Sequence, residues 1–120
     1  MRQWLLAAAL LALVGPGAAQ NWASLMKGGP LEVFNAEDNK FFVETMHRAL
    51  ERPADGQALG WVNPKTGHRG EITVLREFDS RGRTCKEIQL RAEAQGRKGN
   101  DRLYFCRIEG EWKLLGDSQL

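Results

Sequence analysis

The chain has 120 residues, with 17 Lys and Arg against 15 Asp and Glu, a formal net charge of +2. That length allows one domain and little more, and so even a balance is not that of a dedicated nucleic-acid binder. Its two cysteines and two histidines lack the spacing of zinc ligands, so no metal or other cofactor is implied.

Arg2 precedes an unbroken apolar run of 11 residues, Trp4 to Val14. Gly15-Pro16 then breaks any helix, and Gly17, Ala18 and Ala19 supply small residues for a cut after Ala19. This pattern predicts a secretory signal peptide over 1–19. The run is too short to span a bilayer, which takes ~20 apolar residues. No cysteine lies near the cut, so lipid attachment there is not expected. The mature chain would begin at Gln20 without a transmembrane span. In an oxidising compartment an even pair of cysteines reads as a disulfide, here Cys85 with Cys106.

Residues 20–34, with Gly28-Gly29-Pro30, read as a flexible N-terminal segment. The domain is expected over 35–120. Asn35 is a good N-cap, and Asp38 three residues on completes an approximate capping box for a helix over Asn35 to Glu51. Phe42, Val43, Met46, Ala49 and Leu50 recur at three- and four-residue spacing and form its apolar stripe. Pro53 ends it. Short β-runs then alternate with turns: strands over Gln57 to Asn63, Arg69 to Phe78, Arg83 to Ala94, Asp101 to Ile108 and Glu111 to Leu115. The connections are short, so the expected fold is α+β: one N-terminal helix on an antiparallel meander sheet of about five strands, stapled by one disulfide.

Placing Cys85 opposite Cys106 fixes a register in which paired residue numbers sum to 191. Ile88 then faces Leu103, Lys86 faces Phe105, and Leu90 lies on the same apolar side, which should meet the helix. The cysteines fall on the other side, beside charged residues, as a solvent-side staple. The register centres the turn on Gln95-Gly96, whereas Gly99 suggests a longer loop tip and a bulge near it. Charge is uneven: Glu32 to Glu51 holds five acids and two bases, Arg81 to Arg107 eight bases and three acids.

Catalytic chemistry is hard to find. Ser24, Ser80 and Ser118 lack a nucleophile's setting. His47 and His68 read as surface histidines. Glu71 and Glu77 share strand parity, a pattern that can serve acid/base work but is commoner on a solvated strand face. No phosphate loop is present. A non-enzyme is expected, and the candidate binding surface is Trp61, Trp112, Arg97 and Lys98.

The run Ala49-Leu50-Glu51, Gly56-Gln57, Trp61 to Gly67 and Gly70, then Gly82 to Glu87, Cys106-Arg107 and Gly110 to Lys113, resembles the surface antigen domain of the rickettsial 17-kilodalton antigen family. The resemblance covers about Asn35 to Leu115. It implies a periplasmic or outer-membrane-associated protein without catalytic residues. The chain lacks the lipobox cysteine and the glycine-zipper segment of many members. The expectation is an exported, non-catalytic envelope module that holds an envelope protein, a glycan or an outer-membrane component. The alternative is a periplasmic inhibitor or accessory subunit of an envelope enzyme, presenting the 95–99 loop or the Trp61/Trp112 region.

Overall fold

The computed structural model describes residues 23–120. The signal peptide expected over 1–19 lies outside the described residues. A short helix α1 (Ala23–Met26) and a 3-10 turn (Pro30–Val33) lead to α2 (Ala36–Leu50). The strands follow as β1 (Ala58–Val62), β2 (Arg69–Ser80), β3 (Arg83–Ala94), β4 (Arg97–Ile108) and β5 (Glu111–Leu115). They pair in sequence order as one antiparallel five-stranded meander, and α2 packs on one face of it. This is the architecture that the alternation of patterns predicts.

The capping box of α2 is closed in both directions. The Asn35 side chain accepts from the Asp38 N–H at 2.8 Å, and the Asp38 carboxylate accepts from the Asn35 N–H at 2.8 Å. Phe42, Met46, Ala49 and Leu50 are buried against Ile72, Ile88, Leu90 and Leu103. Val43 does not join that stripe and is 49% exposed. One residue on from Phe42 it is turned ~100° away from the core. The far end of the helix meets Lys86, which is buried on β3. Its Nζ donates to the carbonyls of Leu50 at 2.7 Å and Arg52 at 2.6 Å. A cation thus fills carbonyls that the last turn leaves open.

Residues 23–34 are not the loose lead-in expected. Leu25 and Pro30 are buried against Gly99 of β4, where a Cβ would come within 2.5 Å of Leu25 Cδ2 and 3.1 Å of Pro30 Cδ. Gly99 is therefore a site of close approach rather than a turn residue. The expected bulge near it is absent. The β3–β4 register holds without a shift from Cys85↔Cys106 to Ala94↔Arg97, and β4 begins at Arg97 rather than Asp101. Gln95 and Gly96 close the hairpin with φ of 53° and 75°, the backbone of a two-residue primed turn. The bulge lies in β2 instead, between Val74 and Arg76. It reverses strand parity, so Glu71 and Glu77 fall on opposite faces and form no carboxylate pair.

Cys85 and Cys106 are bonded, on the sheet face away from α2. They are not solvent-side: both are fully buried, with Leu115 beside them and Phe78, Ile108 and Leu120 packed around. The C-terminal turn brings Leu120 over the bond, making a second small core that the hairpin alone does not reveal. In the chain-entropy account, closing a loop with a sequence separation of 21 is worth about 3 kcal/mol. The variant C85A/C106A should lose about that much in urea denaturation. It should keep the five-stranded register in NMR, because burial specifies the pairing independently. Loss of strand pairing would contradict this.

Candidate functional site

The densest polar cluster lies where α2 meets the connection from β1 to β2, Asn63 to His68. The connection folds on itself: the Gly67 and Thr66 N–H groups donate to the Asn63 carbonyl at 2.7 and 3.3 Å. The Asn63 side chain accepts from the Lys65 N–H at 3.0 Å, an Asx turn, and Gly67 supplies φ 77°. The inward side chains then converge on Asp38. Asn63 Nδ2 and Thr66 Oγ1 donate to Oδ1 at 2.8 and 2.9 Å. His68 Nδ1 lies 2.7 Å from Oδ2, which also holds the Asn35 N–H.

Asp38 and Asn63 are fully buried and His68 nearly so. The Phe34 ring stacks on His68 with centroids 6.1 Å apart. Burial alone would raise the Asp38 carboxyl pKa. The hydrogen bonds from Asn35, His68, Asn63 and Thr66 outweigh it and hold the group below its usual range. The carboxylate is thus ionised and His68 Nδ1 is its donor. Each oxygen already takes two hydrogen bonds, so neither is open to act as a base on a substrate. The cluster is a clamp between helix and sheet. His68, expected at the surface, is part of it.

The four residues expected to form a binding surface do not share one. Trp61, on β1, is buried, with Phe41 stacked at 6.3 Å and Phe34 edge-on at 5.3 Å. Its indole lies over Gly70, where a Cβ would sit 2.7 Å from Nε1. That nitrogen has no hydrogen-bond partner among the described residues. Trp112 is at the opposite sheet edge, on β5. It is half-buried, donates from Nε1 to Glu51 at 3.2 Å, and meets the Arg107 and Lys86 cations at 4.9 and 5.3 Å. Arg97 is tied to Glu32 at 2.9 Å and to the Gly29 carbonyl at 3.4 Å, fastening the N-terminal segment. Only Lys98 is exposed without an ion-pair contact.

Lys98 borders a feature that strand patterning does not announce: a shallow trough of about 770 Å³ across β1 to β4, on the face away from α2. Gly60 and Val62 line it from β1, and Arg69, Glu71, Arg91 and Lys98 from the next three strands. Glu93 bonds Arg69 at 3.0 Å, and that hydrogen bond is the main reason its carboxyl lies below the usual range. Glu71 lies here and His68 in the clamp, so the two do not share a pocket. Among the described residues no group of three His, Cys, Asp or Glu could hold a metal ion.

The Asp38 clamp makes a signed prediction. A carboxyl with a depressed folded-state pKa stabilises the fold fully above the unfolded value, about 3.9. That stabilisation is lost as the pH falls through this value and the folded one. D38N should therefore cost about 1–3 kcal/mol at neutral pH, by leaving the donors of Asn35, Asn63, Thr66 and His68 without the charged acceptor they share. The gap from the parent in urea midpoint should narrow as the pH falls below about 3.9 and on through the depressed folded-state value. A gap constant with pH would show that the Asp38 charge is not what the fold uses.

Residues 48–113, from the end of α2 to β5, match the family described as 17 kDa outer membrane surface antigen. The 17 kDa surface antigen of Rickettsia bellii (strain RML369-C) is 27% identical over 107 residues, 88% of this chain and 66% of that protein. The antigens of Rickettsia prowazekii (strain Madrid E) and Rickettsia rickettsii are 27% identical over 81 residues, 66% of this chain and 51% of theirs. The chain thus spans between half and two thirds of the length of these relatives. No solved structure matches. The matched stretch contains the Asn63 to His68 connection, both cysteines, Trp61 and Trp112, and the chain belongs to the 17 kDa outer membrane surface antigen family.

Proposed function

We propose that this chain is an exported, non-catalytic binding module of the cell envelope. Its organisation would be a signal peptide over 1–19, a connecting segment over 20–34 and the domain over 35–120. The reading rests on one observation above others: the buried charged groups that could do chemistry are all engaged within the fold, Glu87 by Arg76 and Arg102 on the open face and the others in holding α2 to the sheet. Asp38 and His68 satisfy one another and their neighbours, and Lys86 is bound to helix carbonyls. What faces solvent is an open sheet surface with a trough. The family description and the buried disulfide support an oxidising, envelope location. No helix among the described residues is long and apolar enough to cross a membrane.

The alternative, an inhibitor or accessory subunit, requires a projecting 95–99 loop or an exposed Trp61/Trp112 region. The hairpin ends in a two-residue turn, Trp61 is buried, and Trp112 lies at the opposite sheet edge, half-buried and bound to Glu51, so the module reading is preferred. Fractionation of cells expressing the tagged full chain tests it. The protein should be recovered from the periplasm or outer membrane, begin at Gln20 and resist thiol labelling without reductant. Recovery from the cytosol with Met1 retained and two reactive thiols would overturn the reading.

A further inference from the structure

The open sheet face is weakly basic: it carries Arg69, Arg76, Arg91, Lys98, Arg102 and Lys113 against Glu71, Glu87, Glu93 and Glu111. Three of those open-face cations are already engaged. Arg69 is bound to Glu93, and Arg76 and Arg102 approach Glu87 at 2.6 and 3.5 Å. In the trough, Arg91 and Lys98 are exposed and make no ion-pair contact among the described residues. Arg91 faces Asn100 and Lys98 faces Glu93 in the β3–β4 register. The two cations are therefore diagonal neighbours on one face, roughly 7–8 Å apart at the backbone.

The floor between them and β1 is bare. Gly60 contributes no side chain, and Val62 beside it is 56% exposed. A flat floor of backbone and one valine suits the face of a sugar ring. The trough is also within the size range of ligand sites. Its rim mixes signs. Glu71 projects among the cations, opposite Arg91, where it would repel a polyanion such as nucleic acid or an anionic lipid surface. The same carboxylate can accept hydroxyl or amide protons from a saccharide. From this arrangement we infer that the trough binds a saccharide chain that carries carboxylates among neutral sugars. Arg91 and Lys98 take a carboxylate, Glu71 accepts from a neighbouring neutral sugar, and Gly60 with Val62 supports the ring. This rests on the binding-module reading and names its ligand class.

The probe is the tetrasaccharide of alternating N-acetylglucosamine and peptide-free N-acetylmuramic acid, titrated into the oxidised chain and followed by amide NMR. Shifts should concentrate in residues 60–62, 69–71, 91–93 and 98–100. R91Q/K98Q should weaken binding by about tenfold or more with no change in melting temperature. Neutral chitotetraose should bind the parent about tenfold more weakly. No shifts, equal binding of chitotetraose, or an unaffected R91Q/K98Q would overturn the inference. So would preferential binding to phosphatidylglycerol vesicles or to an acidic peptide. A failed titration with an exported protein leaves the envelope reading standing, whereas a cytosolic protein removes that reading whatever the titration gives.

Discussion

The structure depends on two buried charges of opposite sign, one at each end of α2. Asp38 sits in the first turn of the helix and binds the β1–β2 connection. Lys86 rises from β3 and binds carbonyls at and just beyond the last turn. Each has the sign that the helix dipole favours at its position, the acid at the amino end and the cation at the carboxyl end. A charge left unpaired in either place would be costly. A helix shifted along the sheet, or rotated on its axis, would leave both charges and several backbone groups unsatisfied. The apolar stripe supplies most of the burial, and the two clamps select one position for it.

The rest of the molecule follows from that placement. With α2 fixed over Ile72, Ile88 and Leu90, the other sheet face must be covered in some other way. At one end the disulfide, Phe78, Ile108, Leu115 and Leu120 make a small second core. At the other end the face is left open, and the trough lies there. The bulge in β2 serves this division: beyond it, Glu77 turns to the helix side, 3.9 Å from Lys86, while Arg76 turns to Glu87 on the open side. Gly70 and Gly99 make room at the helix-side layer, one for the Trp61 indole and the other for Leu25 and Pro30. Neither position could carry a side chain without moving its neighbours.

Much of the fold was legible in the sequence because it rests on local signals. The Asn35–Asp38 cap, the strand alternation and the turn glycines each act over a few residues. The Cys85–Cys106 register could be read as well, since one pairing satisfied both the cysteines and the apolar face of Ile88, Leu103 and Phe105. What escaped were contacts between residues far apart in the chain. His68 looked like a surface histidine because its partner Asp38 is 30 residues away. Gly99 looked like a turn because the Leu25 side chain that demands it approaches from the N-terminal segment. Trp61 looked like a recognition residue because nothing nearby in sequence showed that Phe34 and Phe41 would cover it. The trough was invisible for the same reason, being built from four strands at positions whose residue types are ordinary.

If two buried charges set the position of α2, the helix and the sheet should open together. Native-state hydrogen exchange in low denaturant measures this directly. The amides of Met46 to Leu50 should exchange with the same free energy and the same denaturant dependence as those of Ile88, Leu90 and Leu103, through a single global opening. Exchange of the helix amides at a free energy lower by about 2 kcal/mol or more, with the sheet still protected, would show that α2 lifts off on its own. That result would contradict the account of the clamps.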